Sequence, residues 1–342
     1  METKQTGRPR VTLRTVAEVA GVHVSTVSRA LRTHADPALN DAPSATITRH
    51  IIEIANQLGY SPDPYAASLR TQRTKSIGVL VPRLSDVVLA TIYEGIEQYA
   101  NSRGYQVAVA NTYDDPERHQ KHLDLMSSRR VDGLILGDAR LDATGIARPA
   151  VPTVVVNRRC PDFVSVSGAD VVGGGLVAAH FADLGHENIG VIAGPPWAST
   201  SVDRVAGFRE TLRERGLEVP DSAVVPTSFD VEGGRIAAQK LLSQDPCPSA
   251  IFAVNDYAAI GAMGEMRDQG LVPGADIAIV GYNDIDVARE LFYPLSSVDN
   301  SVINMGRAAA NALIDMLDGN QPDSVLIQPH LNVRKSSGQP LT

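Results

Sequence analysis

The sequence predicts a small all-α head joined to a two-lobed α/β body of parallel sheets. Three observations lead there: a helical hairpin broken by glycine at Leu13–Leu31, a change of charge near Lys75, and apolar runs alternating with helical stretches from Ile77 onward.

In LRTVAEVAGVHVSTVSRAL, Val16 and Ala20 lie four residues apart on one face of a first helix. Val27, Ala30 and Leu31 supply the inner face of a second. Gly21 takes the break, where a residue tolerant of positive φ must end one helix before the next starts. The outer face of the second helix carries Val24, Ser25, Thr26, Ser28 and Arg29. Hydroxyls suit phosphates and a guanidinium fork suits a guanine edge, so this surface fits a DNA groove. The polar, proline-containing stretch Arg32–Pro43 reads as a loop. A third helix follows, with Ser44 as N-cap, Ile47, Ile51, Ile54, Ala55 and Leu58 on its apolar face, and Gly59 as its end. Tyr60–Pro64 is extended and stiffened by proline, Tyr65–Arg70 is a short helical piece, and Thr71–Ser76 is a basic tether.

The body reads as strands at 77–81, 106–110, 133–137, 153–157, 189–194, 250–254 and 277–281. Helical stretches lie between them: Ala90–Arg103, Glu117–Arg129, Gly173–Leu184, Ser201–Arg215, Val231–Leu242, Tyr257–Gln269 and Asn304–Leu317. Continuous apolar strands separated by helices imply parallel sheets covered on both faces, and this many units fit two lobes better than one.

Composition narrows the class. Residues 1–75 hold ten Lys and Arg against six acids, a balance of +4 that leaves −12 for the remainder. A basic head on an acidic body suits a DNA-binding module whose larger partner stays off the phosphates. No run approaches a membrane span, and the polar start METKQTGRPR is no signal peptide, so no membrane partner is expected. The two cysteines, Cys160 and Cys247, form no metal or disulfide framework, which fits a reducing cytoplasm.

Ligands of open parallel sheets gather at the carboxyl ends of the strands. There stand Asp86, Asp138, Asn157-Arg158, Asn255-Asp256 and Asn283-Asp284, with Arg204 and Phe229 in loops or helix starts pointing the same way. Amides, carboxylates, one arginine and one aromatic suit a small polar ligand such as a sugar or nucleoside.

With these elements in place, the chain resembles the lactose-repressor (LacI/GalR-type) transcription regulators over about residues 11–338. The resemblance rests on TVAEVAGVHVSTVSRAL at 15–31, LGYSPDPYAASLRTQRTKSIGVLVP at 58–82, DRVAGF at 203–208, NDYAAIGAM at 255–263 and VGYNDI at 280–285. It implies a helix-turn-helix DNA-binding domain at 11–59, a hinge at 60–75 and an effector-binding and dimerisation body at 76–338. The body would be periplasmic-binding-protein-like with crossing connections: an N-lobe of about 76–171 and 302–325, and a C-lobe of about 172–301 and 326–338. Val24, Ser25 and Arg29 match the base-reading positions, and Thr26 and Ser28 the phosphate-contacting ones. Tyr60 joins the DNA contacts. Leu69, on the hinge helix Tyr65–Arg70, matches the leucine that wedges into the minor groove. The implied effector site comprises Asp86, Asn157, Arg204, Phe229, Asn255 and Asn283.

By the same resemblance the partners are a pseudo-palindromic operator, a small-molecule effector and a second copy of the chain, in the cytoplasm at the nucleoid. The chain stops soon after Gly338 without a heptad tail, so a dimer is expected. Four features depart from the pattern. Asn157 and Asn283 replace frequent aspartates, His23 replaces a small hydroxyl residue before the second helix, and the loop after Leu31 is longer than usual. Each asparagine trades an acceptor-only carboxylate for an amide that also donates.

Two other classes compete. Gly173–Ala178 loosely matches a dinucleotide fingerprint, but no acidic ribose-binding strand end follows it, and GxSxG, Walker A and HExxH motifs are absent. His180 and His186 read as surface or capping residues and Asp114-Asp115 as a solvated turn. The expectation is therefore no enzyme, no cofactor and no metal. A stand-alone ligand-binding protein fits the two lobes but not the basic head or the missing signal peptide.

Overall fold

The first helix of the head, α1 (Leu13–Ala20), begins with a capping box built from two threonines. Thr12 Oγ1 accepts the Thr15 N–H, and Thr15 Oγ1 accepts the Thr12 N–H, each at 3.3 Å. It ends at Gly21, whose φ of 64° turns the chain so that the N–H groups of Gly21 and Val22 fold back onto the Glu18 and Ala17 carbonyls. Two further helices follow, α2 (Val24–Ala35) and α3 (Ala45–Leu58). Val16, Ala17, Val27, Ala30, Ile51, Ile54 and Ala55 interlock as the core of the head. The computed structural model describes residues 11–35, 44–60, 73–142 and 149–338. Residues 1–74 and 75–342 form separate compact units.

Two expectations for the head need correction. The sequence places a loop from Arg32, but α2 continues to Ala35, with Arg32 Nε donating to the Ser28 carbonyl and Thr33 Oγ1 to that of Arg29. Polarity signals exposure here, not the end of a helix. Ile47 is 40% exposed and so lies off the apolar face, and Ser44 stands at the N-cap position without a side-chain capping bond.

In the body, six strands form a first sheet: β1 (Ser76–Val81), β2 (Gln106–Asn111), β3 (Gly133–Leu136), β4 (Thr153–Val156), β5 (Val164–Gly168) and β11 (Val325–Ile327). Their order is β11-β5-β4-β3-β1-β2 and every pairing is parallel. The second sheet contains β6 (Ile189–Ala193), β7 (Val224–Pro226), β8 (Ala250–Ala253), β9 (Ala278–Tyr282), β10 (Ser296–Asp299) and β12 (His330–Asn332). Its order is β12-β10-β9-β8-β6-β7, with only the β10–β12 pair antiparallel.

Helices cover both sheets: α4 (Val87–Ser102), α5 (Pro116–Ser128), α6 (Asp170–Asp183), α7 (Ser199–Glu214), α8 (Val231–Leu242), α9 (Asp256–Asp268), the short α10 (Asp286–Glu290) and α11 (Val302–Leu317). The chain crosses between the lobes three times. It leaves the first sheet after β5 for α6, which packs on α7 and β12. It returns after β10 through α11, which lies on α4, β3, β4 and β5, and crosses again between β11 and β12.

Six of the seven strands read from sequence are buried almost throughout, and their apolar runs do not alternate because helices cover both faces; the seventh, β2, is a half-buried edge strand. Five strands are additional: β5, β7, β10, β11 and β12. β5 (VSVSG) and β10 (SSVD) are serine-rich, and the other three have only three residues each at sheet edges. The helices α6 and α7 approach at backbone distance. A Cβ on Gly174 would lie 2.0 Å from the Arg204 carbonyl oxygen, and one on Gly207 would lie 1.9 Å from that of Val171. This packing accounts for Gly174 of the loose dinucleotide fingerprint, and Tyr282 accounts for Gly173, where a Cβ would lie 2.0 Å from its hydroxyl. Among the described residues, no helix is long and apolar enough to cross a membrane.

Candidate functional site

On the head, His23 stands immediately before α2. Its carbonyl accepts the N–H groups of Thr26 and Val27, and its imidazole Nδ1 lies 3.3 Å from the Ser25 nitrogen and 2.8 Å from Ser25 Oγ. The histidine that departs from the family pattern is thus itself a side-chain cap. Ser25 and Arg29 are exposed, and Thr26 and Ser28 are half-buried. Val24 is not the free outer-face residue the sequence suggests. At the first position of α2 it is half-buried against the core of the head, as is Tyr60. Leu69 and the hinge helix lie outside the described residues.

In the body, Asp86, Asn157, Arg204, Phe229, Asn255 and Asn283 come together around one cleft of about 620 Å³ between the two sheets. They arrive there because β1, β4, β7, β8 and β9 all point their carboxyl ends at it, and α7 carries Arg204 to its floor. Arg204 is 2% exposed. Its Nε donates to Asp170 Oδ1 at 2.8 Å, an Nη donates to the Val254 carbonyl at 2.7 Å, and the guanidinium lies 3.7 Å from the Tyr282 ring centroid. Burial pushes the Asp170 carboxyl up, opposed by the charge and hydrogen bond of Arg204.

The two asparagines share a backbone cause. Asn157 has φ 66° and Asn283 has φ 97°, a region that asparagine tolerates better than most residues with a Cβ. Asn157 Oδ1 is buried without a partner among the described residues, whereas Asn283 Oδ1 accepts from Asn300 Nδ2 at 3.5 Å. Asn255 is largely engaged within the fold. Its Oδ1 caps α9 through the Ala258 N–H at 2.9 Å, and its Nδ2 donates to the Phe229 carbonyl at 2.8 Å. It therefore positions Phe229, whose ring lies so close to Gly194 that a Cβ there would sit 2.3 Å from it. Asp86 caps α4 through the Val88 N–H at 2.9 Å. Burial raises its carboxyl, and bonds from the Val88 and Leu89 amides oppose the rise.

On the other wall, sequence reasoning had Arg158 at its strand end but missed Asp114 and Trp197. Asp114, expected in a solvated turn, makes a two-pronged ion pair with Arg158 at 2.7 and 3.2 Å, and both line the cleft. Arg158 is 4% exposed, and its Nε has no partner among the described residues. Asp115 caps α5 instead, accepting from Glu117 and Arg118. Trp197 also lines the cleft, 4.4 Å from Arg140 and 5.0 Å from Arg158 by guanidinium carbon to ring.

The lobes are tied on this side. Leu141 donates to the Trp197 carbonyl at 2.9 Å, the Arg159 N–H donates to Ser199 Oγ at 2.9 Å, and the Arg159 guanidinium grips both Asp203 oxygens at 2.7 Å. A sequence signal existed for Trp197, the only tryptophan of the chain, directly after Pro195-Pro196. Strand-end position had marked Arg158, but nothing signalled its pairing with Asp114, which is far away in the chain.

The two histidines also differ from expectation. His186 is 2% exposed with Nδ1 bonded to Ser249 Oγ at 3.0 Å, and the partly buried His180 contacts Ser337. Burial lowers the basicity of both. They pack loops and the chain terminus, not a surface. Asp138, at the end of β3, is buried against His119 Nδ1 at 2.7 Å. Among the described residues, no group of three His, Cys, Asp or Glu is placed to hold a metal ion.

Known proteins share this architecture. Residues 178–337 match the family described as periplasmic binding protein-like domain. The chain is 32% identical over 340 residues to the HTH-type transcriptional repressor PurR of Haemophilus influenzae (strain PittEE), covering 95% of this chain and 98% of that one. It is 30% identical over 331 residues to the ribose operon repressor of Haemophilus influenzae (strain ATCC 51907 / DSM 11121 / KW20 / Rd), with the same coverage. Among solved structures, the Lac repressor dimer bound to operator and the anti-inducer ONPF superposes with a TM-score of 0.84 at 26% identity. That match covers 96% of this chain and 99% of that one. A transcriptional regulator CelR–cellobiose complex gives 0.72 at 27%, over 96% and 100% of the two chains. With a helix-turn-helix head, two crossed parallel-sheet lobes and full-length similarity to repressors, the chain belongs to the lactose-repressor (LacI/GalR-type) family of transcriptional regulators.

Proposed function

We propose that the chain is a cytoplasmic, nucleoid-associated repressor that binds a pseudo-palindromic operator as a dimer and is switched by a small polar effector in the cleft. Arg29 and Ser25 read base edges from α2, Thr26 and Ser28 hold phosphates, Val24 and Tyr60 add apolar contact, and Leu69 wedges the minor groove. Asp86, Asn157, Arg204 and Asn283 orient the effector, and Phe229, braced by Asn255, stacks on it. The body performs no chemistry of its own in this reading. Effector binding alters the angle between the lobes and so biases the two copies between operator-binding and released states.

The observation that carries the effector reading is the convergence of Asp86, Asn157, Arg204, Phe229, Asn255 and Asn283 on one cleft of about 620 Å³. Directional polar groups beside an aromatic ring suit a small ligand rich in hydroxyls or ring nitrogens.

Trp197 supplies the assay, because it is the sole tryptophan and lines the cleft. Glucose, cellobiose, ribose, adenosine and guanine are titrated while its emission is followed, and binding of a selected DNA duplex is followed by anisotropy. The expected result is that one chemical class moves both signals. A protein that selects no DNA sequence, or a ligand that fills the cleft without changing operator affinity, would overturn the reading.

A further inference from the structure

The bond between His23 and Ser25 has a direction, and the direction bears on DNA sequence. The Ser25 backbone N–H points at His23 Nδ1 at 3.3 Å. An N–H can only donate, so Nδ1 carries a lone pair and the imidazole proton sits on Nε2. The Ser25 hydroxyl lies 2.8 Å from the same Nδ1. A ring nitrogen without a proton cannot donate, so the proton in that contact belongs to Ser25. The hydroxyl has one proton, and it is committed to the imidazole. What remains on the exposed side of Ser25 is two lone pairs.

We propose that His23 fixes the hydrogen-bonding sense of Ser25, making its hydroxyl an acceptor that reads an exocyclic amino group in the major groove. This rests on the reading of α2 as the groove helix. A free serine is ambiguous toward bases because its hydroxyl turns to donate or accept. Held by His23, it matches adenine N6 or cytosine N4 on the strand it faces. It is mismatched to guanine O6, thymine O4 and phosphate oxygens, which are acceptors themselves. His23 is then a positioning residue for base choice, and Ser25 reads its base as an acceptor only.

The test uses the full chain. A duplex is selected from a random library with the wild-type protein, and every base pair of its half-sites is then substituted and measured by fluorescence anisotropy. At one symmetry-related pair of positions the wild type prefers adenine or cytosine on one strand. Replacing that base by its analogue lacking the amino group, nebularine for adenosine or zebularine for cytidine, weakens binding roughly five- to tenfold, the scale of one hydrogen bond. In Ser25→Ala the amino group no longer matters.

In His23→Ala the hydroxyl is free to turn, and the preference at that position falls below about twofold. His23→Asn places an amide oxygen where Nδ1 stands and restores the preference. This rescue separates the orienting role from a loss of helix capping, which weakens all duplexes alike. Full discrimination in His23→Ala, or a uniform loss across all bases in Ser25→Ala, overturns the proposal while leaving the regulator reading intact. A wild-type protein that selects no sequence removes that reading and this proposal together.

Discussion

Replacing Arg204 should damage stability and effector response by separable routes. The perturbation is Arg204→Met, which keeps the aliphatic bulk over Tyr282 but removes the guanidinium. Arg204 and Asp170 are 2% and 5% exposed, and they meet at 2.8 Å. Stripping one partner from such a pair leaves a buried charge uncompensated, at a cost of about 3–5 kcal/mol. The Asp170 carboxyl is already raised by burial and then loses the cation that opposes the rise. Its folded value therefore climbs further above the unfolded one. A group raised in this way contributes stability below the unfolded carboxylate value and loses it as pH rises through the folded value. The deficit of Arg204→Met is consequently larger at pH 8 than at pH 5.

Adding Asp170→Asn removes the stranded charge, and the double variant should regain all but about 1–2 kcal/mol. Urea denaturation followed through Trp197 at both pH values measures the cycle. Effector response, read as the change in operator affinity, should be lost in the single and double variants alike. The reasoning fails if the single variant unfolds at the wild-type urea concentration, or if the double variant is no more stable than the single.

Two further outcomes follow from buried groups in the C-lobe. Asp256 accepts from Ser297 Oγ at 2.6 Å and the Ile285 N–H at 2.8 Å, yet burial pushes its carboxyl up to about 7. Wild-type stability should fall as pH rises from about 4 to 7, by up to roughly 4 kcal/mol from this group. Asp256→Asn should flatten that slope, and a denaturation midpoint unchanged in its pH profile would contradict the assignment. Gly207→Ala would drive a Cβ into the Val171 carbonyl, so it should cost about 3 kcal/mol despite the better helix propensity of alanine. A melting temperature within a degree of wild type would show that α6 and α7 separate freely.

The fold was largely legible because its main signals are local. Gly21 ends α1 by its own backbone preference, and runs such as Ile77–Val81 are apolar on both faces because helices cover both. Strands escaped notice where serines or short length erase that signal, as in the interior β5 and the edge strand β12. The cleft was half legible. Strand-end position identifies Asn157, Asn255 and Asn283, since topology alone carries a strand end to the crevice. The Arg158–Asp114 pair was not legible, because two loops meet there only after the sheet has formed. Local pattern also overstates exposure at Val24, where the turn at Gly21 folds the side chain back on the core. The cap at His23 shows the reverse case: the departure was visible, but its hydrogen-bonding direction needed atomic positions.

The threefold crossing of the chain has a consequence during synthesis. β5 ends at Gly168, and its sheet neighbour β11 begins only at Val325. α11, which covers β3, β4 and β5, is also made late, at Val302–Leu317. A nascent first lobe therefore leaves the ribosome with an open strand edge and a bare apolar face. At 5–20 residues per second the gap lasts about ten to thirty seconds, while the whole second lobe is translated. The two lobes are completed almost together, since α6 enters the second lobe before its strands exist, β11 closes the first sheet only at Ile327 and β12 closes the second at Asn332. The body is thus assembled as one unit once β11 and β12 have emerged, and until then its unfinished edge is where a chaperone has something to hold.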